Sequence, residues 1–131
     1  MKIISEKSIL RGEVLIPTSK SHTIRAVTLS TLAQGKSIIR HPLLSSDCLA
    51  AVGAGRHFGA KVSLGDVWEV EGVNGAPRVP ENVVDVKNSG TTFYFFMGTA
   101  ALAKGATVLT GDEQIVKRPA QPLITALSDL G

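Results

Sequence analysis

The 131 residues contain one cysteine, Cys48, so no intrachain disulfide can form. With no disulfide and no metal-spaced set of Cys and His, the chain is expected in a reducing, cytoplasmic setting, with no metal bound. His22, His41 and His57 share no ligand spacing. No Ser-His-Asp arrangement can be drawn, so no catalytic residue is assigned from pattern. Long apolar runs are also missing. The longest apolar block, Phe93 to Ala103, is too short to span a bilayer and reads as a buried helix, so no membrane association is expected. The opening residues Met1 to Lys7 hold neither a long apolar stretch nor a small-residue cleavage site, and are not expected to be a signal peptide. Fourteen basic residues outweigh eleven acidic ones for a net charge of +3, but no three of them run together. Nucleic-acid binders cluster their cations and interleave aromatics, so no nucleic-acid partner is expected. The balance fits a local anionic ligand.

Hydrophobic residues make up 44% of the chain and charged residues 19%, which supports a packed core and excludes wholesale disorder. Glu13 to Ile16 reads as a strand ended by Pro17. Ser21 to Gln34 has helical spacing through Ile24, Val27, Leu29, Leu32 and Ala33, with Gly35 where a C-terminal cap belongs. Ser37 to Arg40 is β-branched and strand-like. Ser45-Ser46-Asp47 offers N-cap chemistry for a helix to Phe58, closed by Gly59. Lys61 to Leu64 and Val67 to Glu71 form a hairpin around Gly65-Asp66, with Trp68 and Val70 on one face as packing residues. A Gly/Pro-rich loop, Asn74 to Asn82, leads to a strand over Val83 to Val86. A helix over Thr91 to Ala103 follows, capped by Gly105, and then a strand over Ala106 to Thr110. Gly111 to Arg118 reads as a loop, and Pro119 as the first turn of a helix to about Leu130.

An internal repeat underlies this order. Ala33-Gln34-Gly35-Lys36-Ser37-Ile38-Ile39 aligns with Ala103-Lys104-Gly105-Ala106-Thr107-Val108-Leu109 at a shift of 70 residues. The same shift sets Thr18-Ser19-Lys20-Ser21 against Asn88-Ser89-Gly90-Thr91, each a polar turn between a strand and a helix. Two copies of one supersecondary unit are expected. The segments are 1–16, an N-terminal strand segment; 17–82, a first unit; and 83–131, a second unit incomplete at its C-terminus.

Those two turns are the candidate sites. A helix N-terminus leaves backbone N–H groups unpaired and carries partial positive charge, so it seats phosphate or carboxylate. Ser19, Ser21 and Lys20 add hydroxyls and an ammonium, and Arg25 follows Ser21 by one helical turn. The turn is equally consistent with a plain Ser19 cap and solvated cations. It is not a nucleotide P-loop, because Ser19 stands before Lys20 and Leu15 holds the other glycine position. Gly90 would admit a close approach to the backbone of the second turn, which taken alone reads more readily as a simple capping turn. Lys117-Arg118 supplies two more cations, and a surface basic pair would look the same. Asp47 is read as supporting its own helix, and Cys48 as a buried small residue.

Pro17-Thr18-Ser19-Lys20-Ser21-His22-Thr23-Ile24-Arg25 resembles the P-G-S-K-S-x-x-x-R motif of the EPSP synthase family. Leu43-Leu44-Ser45-Ser46-Asp47 resembles the family's L-x-S-x-D segment. Asn88-Ser89-Gly90-Thr91-Thr92 resembles its N-A/S-G-T-A/T motif, and Lys117-Arg118-Pro119 its E/K-R-P motif. Four motifs in order cover nearly all of the chain, which would be the N-terminal portion of a family member. The resemblance implies an α/β (α+β) fold of repeated βαβαββ units, an incomplete piece of the enolpyruvyl transferases' inside-out α/β barrel. It also implies enolpyruvyl transfer from phosphoenolpyruvate to the 5-hydroxyl of shikimate 3-phosphate, in aromatic amino acid biosynthesis, with no cofactor. Lys20, Ser21 and Arg25 would hold shikimate 3-phosphate. Lys20, Gly90 and Arg118 would line the phosphoenolpyruvate site, where glyphosate binds in sensitive members.

Two positions depart from the family pattern: Thr18 replaces the usual glycine, and Tyr94 stands where many members have arginine. The family's acid/base residues would lie beyond Gly131, so the chain alone is expected to be inactive. Its partners would be the two substrates and either the missing C-terminal portion or a second copy, with Met1 to Arg11 either loosely held or paired with another chain through an exposed edge. A non-catalytic phosphate-binding or structural fragment is the alternative. A UDP-N-acetylglucosamine enolpyruvyl transferase is disfavoured, because Asp112 to Lys117 holds no cysteine and Ser21, not Asn, follows Lys20.

Overall fold

A computed structural model describes residues 2–9 and 11–131. Helix α1 spans Lys20–Leu32, strand β1 Lys36–Arg40 and helix α2 Ser46–His57. Strands β2, Lys61–Ser63, and β3, Val67–Glu71, follow, and then a two-residue strand β4, Val84–Asp85. Helix α3, Gly90–Ala101, leads to β5, Leu109–Thr110, and to helices α4, Glu113–Val116, and α5, Gln121–Asp129.

Helix α1 starts where a side chain can satisfy its free amides: Ser19 Oγ accepts from the His22 N–H at 3.3 Å. Its inward face differs from the apolar spacing expected. Thr23, Ile24, Val27, Thr28, Ser30 and Thr31 are buried, while Leu29 is 70% exposed. Threonine is tolerated inside because its hydroxyl finds a local acceptor. Thr23, Thr28 and Thr31 donate to the carbonyls of Ser19, Ile24 and Val27 at 3.0, 2.9 and 2.9 Å. Small residues also let α2 come close: a β-carbon at Gly55 would stand 2.6 Å from Thr31 Oγ1.

The hairpin forms as expected and joins β1 in an antiparallel sheet ordered β1-β3-β2. Trp68 and Val70 face the helices and are buried, whereas Glu69 and Glu71 point outward to Lys36 and Lys61 at 2.6 and 3.1 Å. The largest core side chains are Trp68, Phe58 and Phe96, and the two phenylalanine rings stack at 5.7 Å.

Strands β4 and β5 pair in parallel, with α3 as the crossover between them. Residues that follow the C-terminal ends of parallel neighbours lie at one edge, which is where open α/β sheets receive ligands. The Asn88-Ser89-Gly90 turn and the Gly111 to Arg118 segment are those residues here.

Five expectations change. No strand forms over Glu13–Ile16; Val14, Leu15 and Ile16 are 79, 97 and 76% exposed, and a strand needs a neighbour to complete its hydrogen bonds. Met1 and Leu10, part of the 1–16 segment, lie outside the described residues. The strand expected over Ala106–Thr110 shortens to the two residues that meet β4. Residues 111–118 are not all loop: Asp112 caps α4, its Oδ1 accepting from Gln114 and Ile115 N–H at 3.0 and 3.1 Å. The last helix starts at Gln121, so Pro122, not Pro119, occupies its first turn. Helix α3 ends at Ala101, short of Gly105, which instead passes close to Val79.

Candidate functional site

Lys20 and Gly90, the first residues of α1 and α3, stand 70 positions apart, in the register of the repeat. Their caps correspond: Ser89 Oγ accepts from the Thr92 N–H at 3.3 Å, as Ser19 Oγ does from His22. Ser89 is fully buried and shares a second hydrogen bond with the Thr92 hydroxyl at 2.7 Å.

Asp47, in the first turn of α2, joins the two termini. Its Oδ2 accepts from Lys20 Nζ at 2.7 Å, and its backbone carbonyl accepts from the Thr92 hydroxyl at 3.4 Å. The expectation that Asp47 serves only its own helix is therefore too narrow; Ser45 caps α2, accepting from the Cys48 N–H at 3.4 Å. Cys48 is buried beneath, its thiol donating weakly to the Lys20 carbonyl at 3.7 Å. The hydrogen bond to Asp47, and then its negative charge, raise the Lys20 pKa above the ordinary lysine value and keep the ammonium charged. Half of the Lys20 side chain remains exposed.

Gly90 and Arg118 meet directly. A β-carbon on Gly90 would stand 2.8 Å from the guanidinium carbon of Arg118. Three contacts fix the segment that carries this arginine. Asn88 Nδ2 donates to Asp112 Oδ2 at 2.6 Å, the Asp112 N–H donates to the Lys87 carbonyl at 2.8 Å, and the Tyr94 hydroxyl donates to the Pro119 carbonyl at 3.2 Å. Lys117 turns away to pair with Glu113.

Arg25 and Ser21 are less closely drawn in. Arg25 Nη1 donates to the Ser21 carbonyl at 3.3 Å, and the guanidinium lies 5.3 Å from the Phe95 ring centroid on α3. A shallow cleft of about 210 Å³ borders it, lined by Arg25, Thr28, Leu29 and Phe95. A larger hollow of about 300 Å³ flanks the other side of the α1 N-terminus, between Ser19, His22 and His41. Lys20, Gly90 and Arg118 line neither hollow. Among the described residues no group of His, Cys, Asp and Glu could hold a metal ion. No helix there is long and apolar enough to cross a membrane.

Sequence reasoning singled out Lys20, Gly90 and Arg118, and missed the long-range contacts of Asp47, Thr92 and Tyr94 and the cap at Asp112. Asp112 was legible, since Asp-Glu ahead of an apolar pair is N-cap chemistry. The contacts Lys20–Asp47, Thr92–Asp47 and Tyr94–Pro119 span 25 to 45 positions of chain and left no local signal.

Two capped helix N-termini, tied through the side chain and backbone carbonyl of Asp47 and flanked by an ammonium and a guanidinium, define an α/β protein of this layout. The EPSP synthase family, described as 3-phosphoshikimate 1-carboxyvinyltransferase, matches over residues 4–131, and the chain belongs to it. Curated 3-phosphoshikimate 1-carboxyvinyltransferases are similar to it throughout. That of Acetivibrio thermocellus is 52% identical over 95% of the chain, and that of Methanococcoides burtonii 46% over 100%. The chain spans 30 and 31% of those proteins' lengths. The EPSP synthase structure from Acinetobacter baumannii superposes with a TM-score of 0.83 at 26% identity, over 92% of this chain and 28% of that one. The fold is thus an incomplete α/β piece of these longer transferases.

Proposed function

We propose that this chain supplies part of the substrate face of an enzyme that transfers the enolpyruvyl group of phosphoenolpyruvate to the 5-hydroxyl of shikimate 3-phosphate. The carrying observation is the Lys20–Asp47–Thr92 link, which sets two helix N-termini side by side with Arg118 over the second. Both substrates are phosphorylated carboxylates, and both termini suit such anions. Lys20, Ser21 and Arg25 hold shikimate 3-phosphate; Lys20, Gly90 and Arg118 hold phosphoenolpyruvate. Prepaid positioning and stabilisation of charge as it develops are the contributions of these groups. The protein works in the cytoplasm without a cofactor. Segments 17–82 and 83–131 act as two copies of one unit, each contributing a terminus to the face.

The 131-residue chain by itself does not turn over, because it spans under a third of its relatives' length and no acid or base is assigned on it. Titration with each substrate, followed by assay with and without the remaining portion of a relative, tests this. Binding without turnover, and activity on complementation, are expected. Turnover by the chain alone would refute the claim of incompleteness. No binding and no complementation would favour a structural fragment.

A further inference from the structure

We propose that Tyr94 is a positioning residue, whose phenol holds the Arg118-Pro119 segment so that the Arg118 guanidinium lies over Gly90. The inference rests on the reading of Arg118 as a ligand for phosphoenolpyruvate. Tyr94 follows Gly90 by one helical turn, so the two lie on the same side of α3. Its hydroxyl donates to the Pro119 carbonyl at 3.2 Å. Proline has no N–H, and its neighbour Ala120 caps α5 without a side-chain hydrogen bond. On the other side, the Arg118 N–H is committed to the Ile115 carbonyl at 2.9 Å, the end of the short α4. Arg118 is therefore held from behind by α4 and from ahead by Tyr94.

Arg118 is exposed, and among the described residues its guanidinium donates to no side chain. Its position depends on the backbone that carries it, and Tyr94 is the contact that ties this backbone to α3.

The test is Tyr94→Phe in the 131-residue chain, which keeps the ring and its edge contact with Phe93 and removes only the donor. Nuclear Overhauser contacts between the Arg118 side chain and the Gly90 α-protons are measured first, without ligand. They should weaken several-fold in the variant, while the thermal midpoint and the core resonances of Phe58 and Phe96 hold. Phosphoenolpyruvate is then titrated, and its dissociation constant should rise about three- to tenfold, the effect of one lost neutral hydrogen bond. Unchanged Arg118–Gly90 contacts overturn the positioning role, whatever the titration shows. Weakened contacts in a chain whose parent binds no phosphoenolpyruvate uphold the positioning and overturn the ligand reading. Weakened contacts with unchanged affinity overturn the functional part of the proposal.

Discussion

The Arg118 guanidinium occupies the space that a side chain at position 90 would fill: a β-carbon there would stand 2.8 Å from both Cζ and Nη1. The obstacle is the far end of a flexible, exposed side chain, so it can move. Gly90→Ala should therefore leave the fold intact and shift Arg118. Gly90 is the first residue of α3, and alanine restricts the unfolded backbone more than glycine does, so the backbone adds no cost of its own. The expected result is a thermal midpoint at or slightly above that of the parent. Phosphoenolpyruvate binding should weaken by about tenfold or more, since a charged contact is lost. Calorimetric titration beside a thermal melt separates the two; a large fall in stability would show that Arg118 cannot yield.

Lys20 and Asp47 give a pH signature with a definite sign. The lysine pKa is raised by its hydrogen bond to Asp47 and by that residue's charge. A raised lysine pKa means that the pair contributes fully below the ordinary value of about 10.4, and is lost as pH climbs through the raised value. Lys20 is half exposed, so solvent screening holds the contribution to less than about 1 kcal/mol. Asp47→Asn should return the Lys20 pKa toward the ordinary value, read from the Cε chemical shift during a titration between pH 8 and 12. An unmoved lysine titration in the variant would contradict the pairing.

Much of this arrangement is legible in the order of residues, and the remainder is not for physical reasons. Ser19 and Ser45 announce helix starts because capping is local: the donor lies three residues ahead of the acceptor. The hairpin is legible because alternation at Trp68 and Val70 reports which face is buried. Glu13 to Ile16 misleads for the converse reason. Its residues favour extension, but a strand is completed by a partner that the local sequence does not contain. Leu29 misleads because helical spacing ranks side chains by polarity, whereas α1 buries threonines whose hydroxyls bond within the helix. Lys20 and Asp47 lie 27 positions apart, so only the packing of α1 on α2 could reveal them as partners.

Gly72 is fixed by the chain itself. A β-carbon there would stand 2.2 Å from the Ala33 carbonyl oxygen and 2.4 Å from that of Ser30. Backbone at the end of α1 cannot swing aside as the Arg118 side chain can. The Gly72 N–H also donates to the Gly35 carbonyl at 3.0 Å, so the close approach is part of the sheet's attachment to α1. Gly72→Ala should destabilise by about 1–3 kcal/mol or more, as overpacking does. Urea denaturation measures it. Gly53→Ala is the control, since apart from its own helix backbone no described atom lies within 4 Å of its would-be β-carbon, and it should be neutral or stabilising.

The α1–α2 contact makes a prediction about coupling. A β-carbon at Gly55 would stand 2.6 Å from Thr31 Oγ1, and Thr31 is fully buried with its hydroxyl already committed to the Val27 carbonyl at 2.9 Å. Gly55→Ala alone should cost about 1–3 kcal/mol, because the threonine has nowhere to turn. Thr31→Ala alone should cost about 1 kcal/mol, removing a buried hydroxyl together with its local hydrogen bond. Combined, the second change opens the space the first one needs, so the double variant should be more stable than Gly55→Ala alone. A coupling of about 0.5–3 kcal/mol is expected, within the range for residues in direct contact. Additive costs across the four urea curves would mean that α2 slides to relieve the clash. The Lys20–Asp47 pair would then shift as well, because Asp47 rides on the same helix.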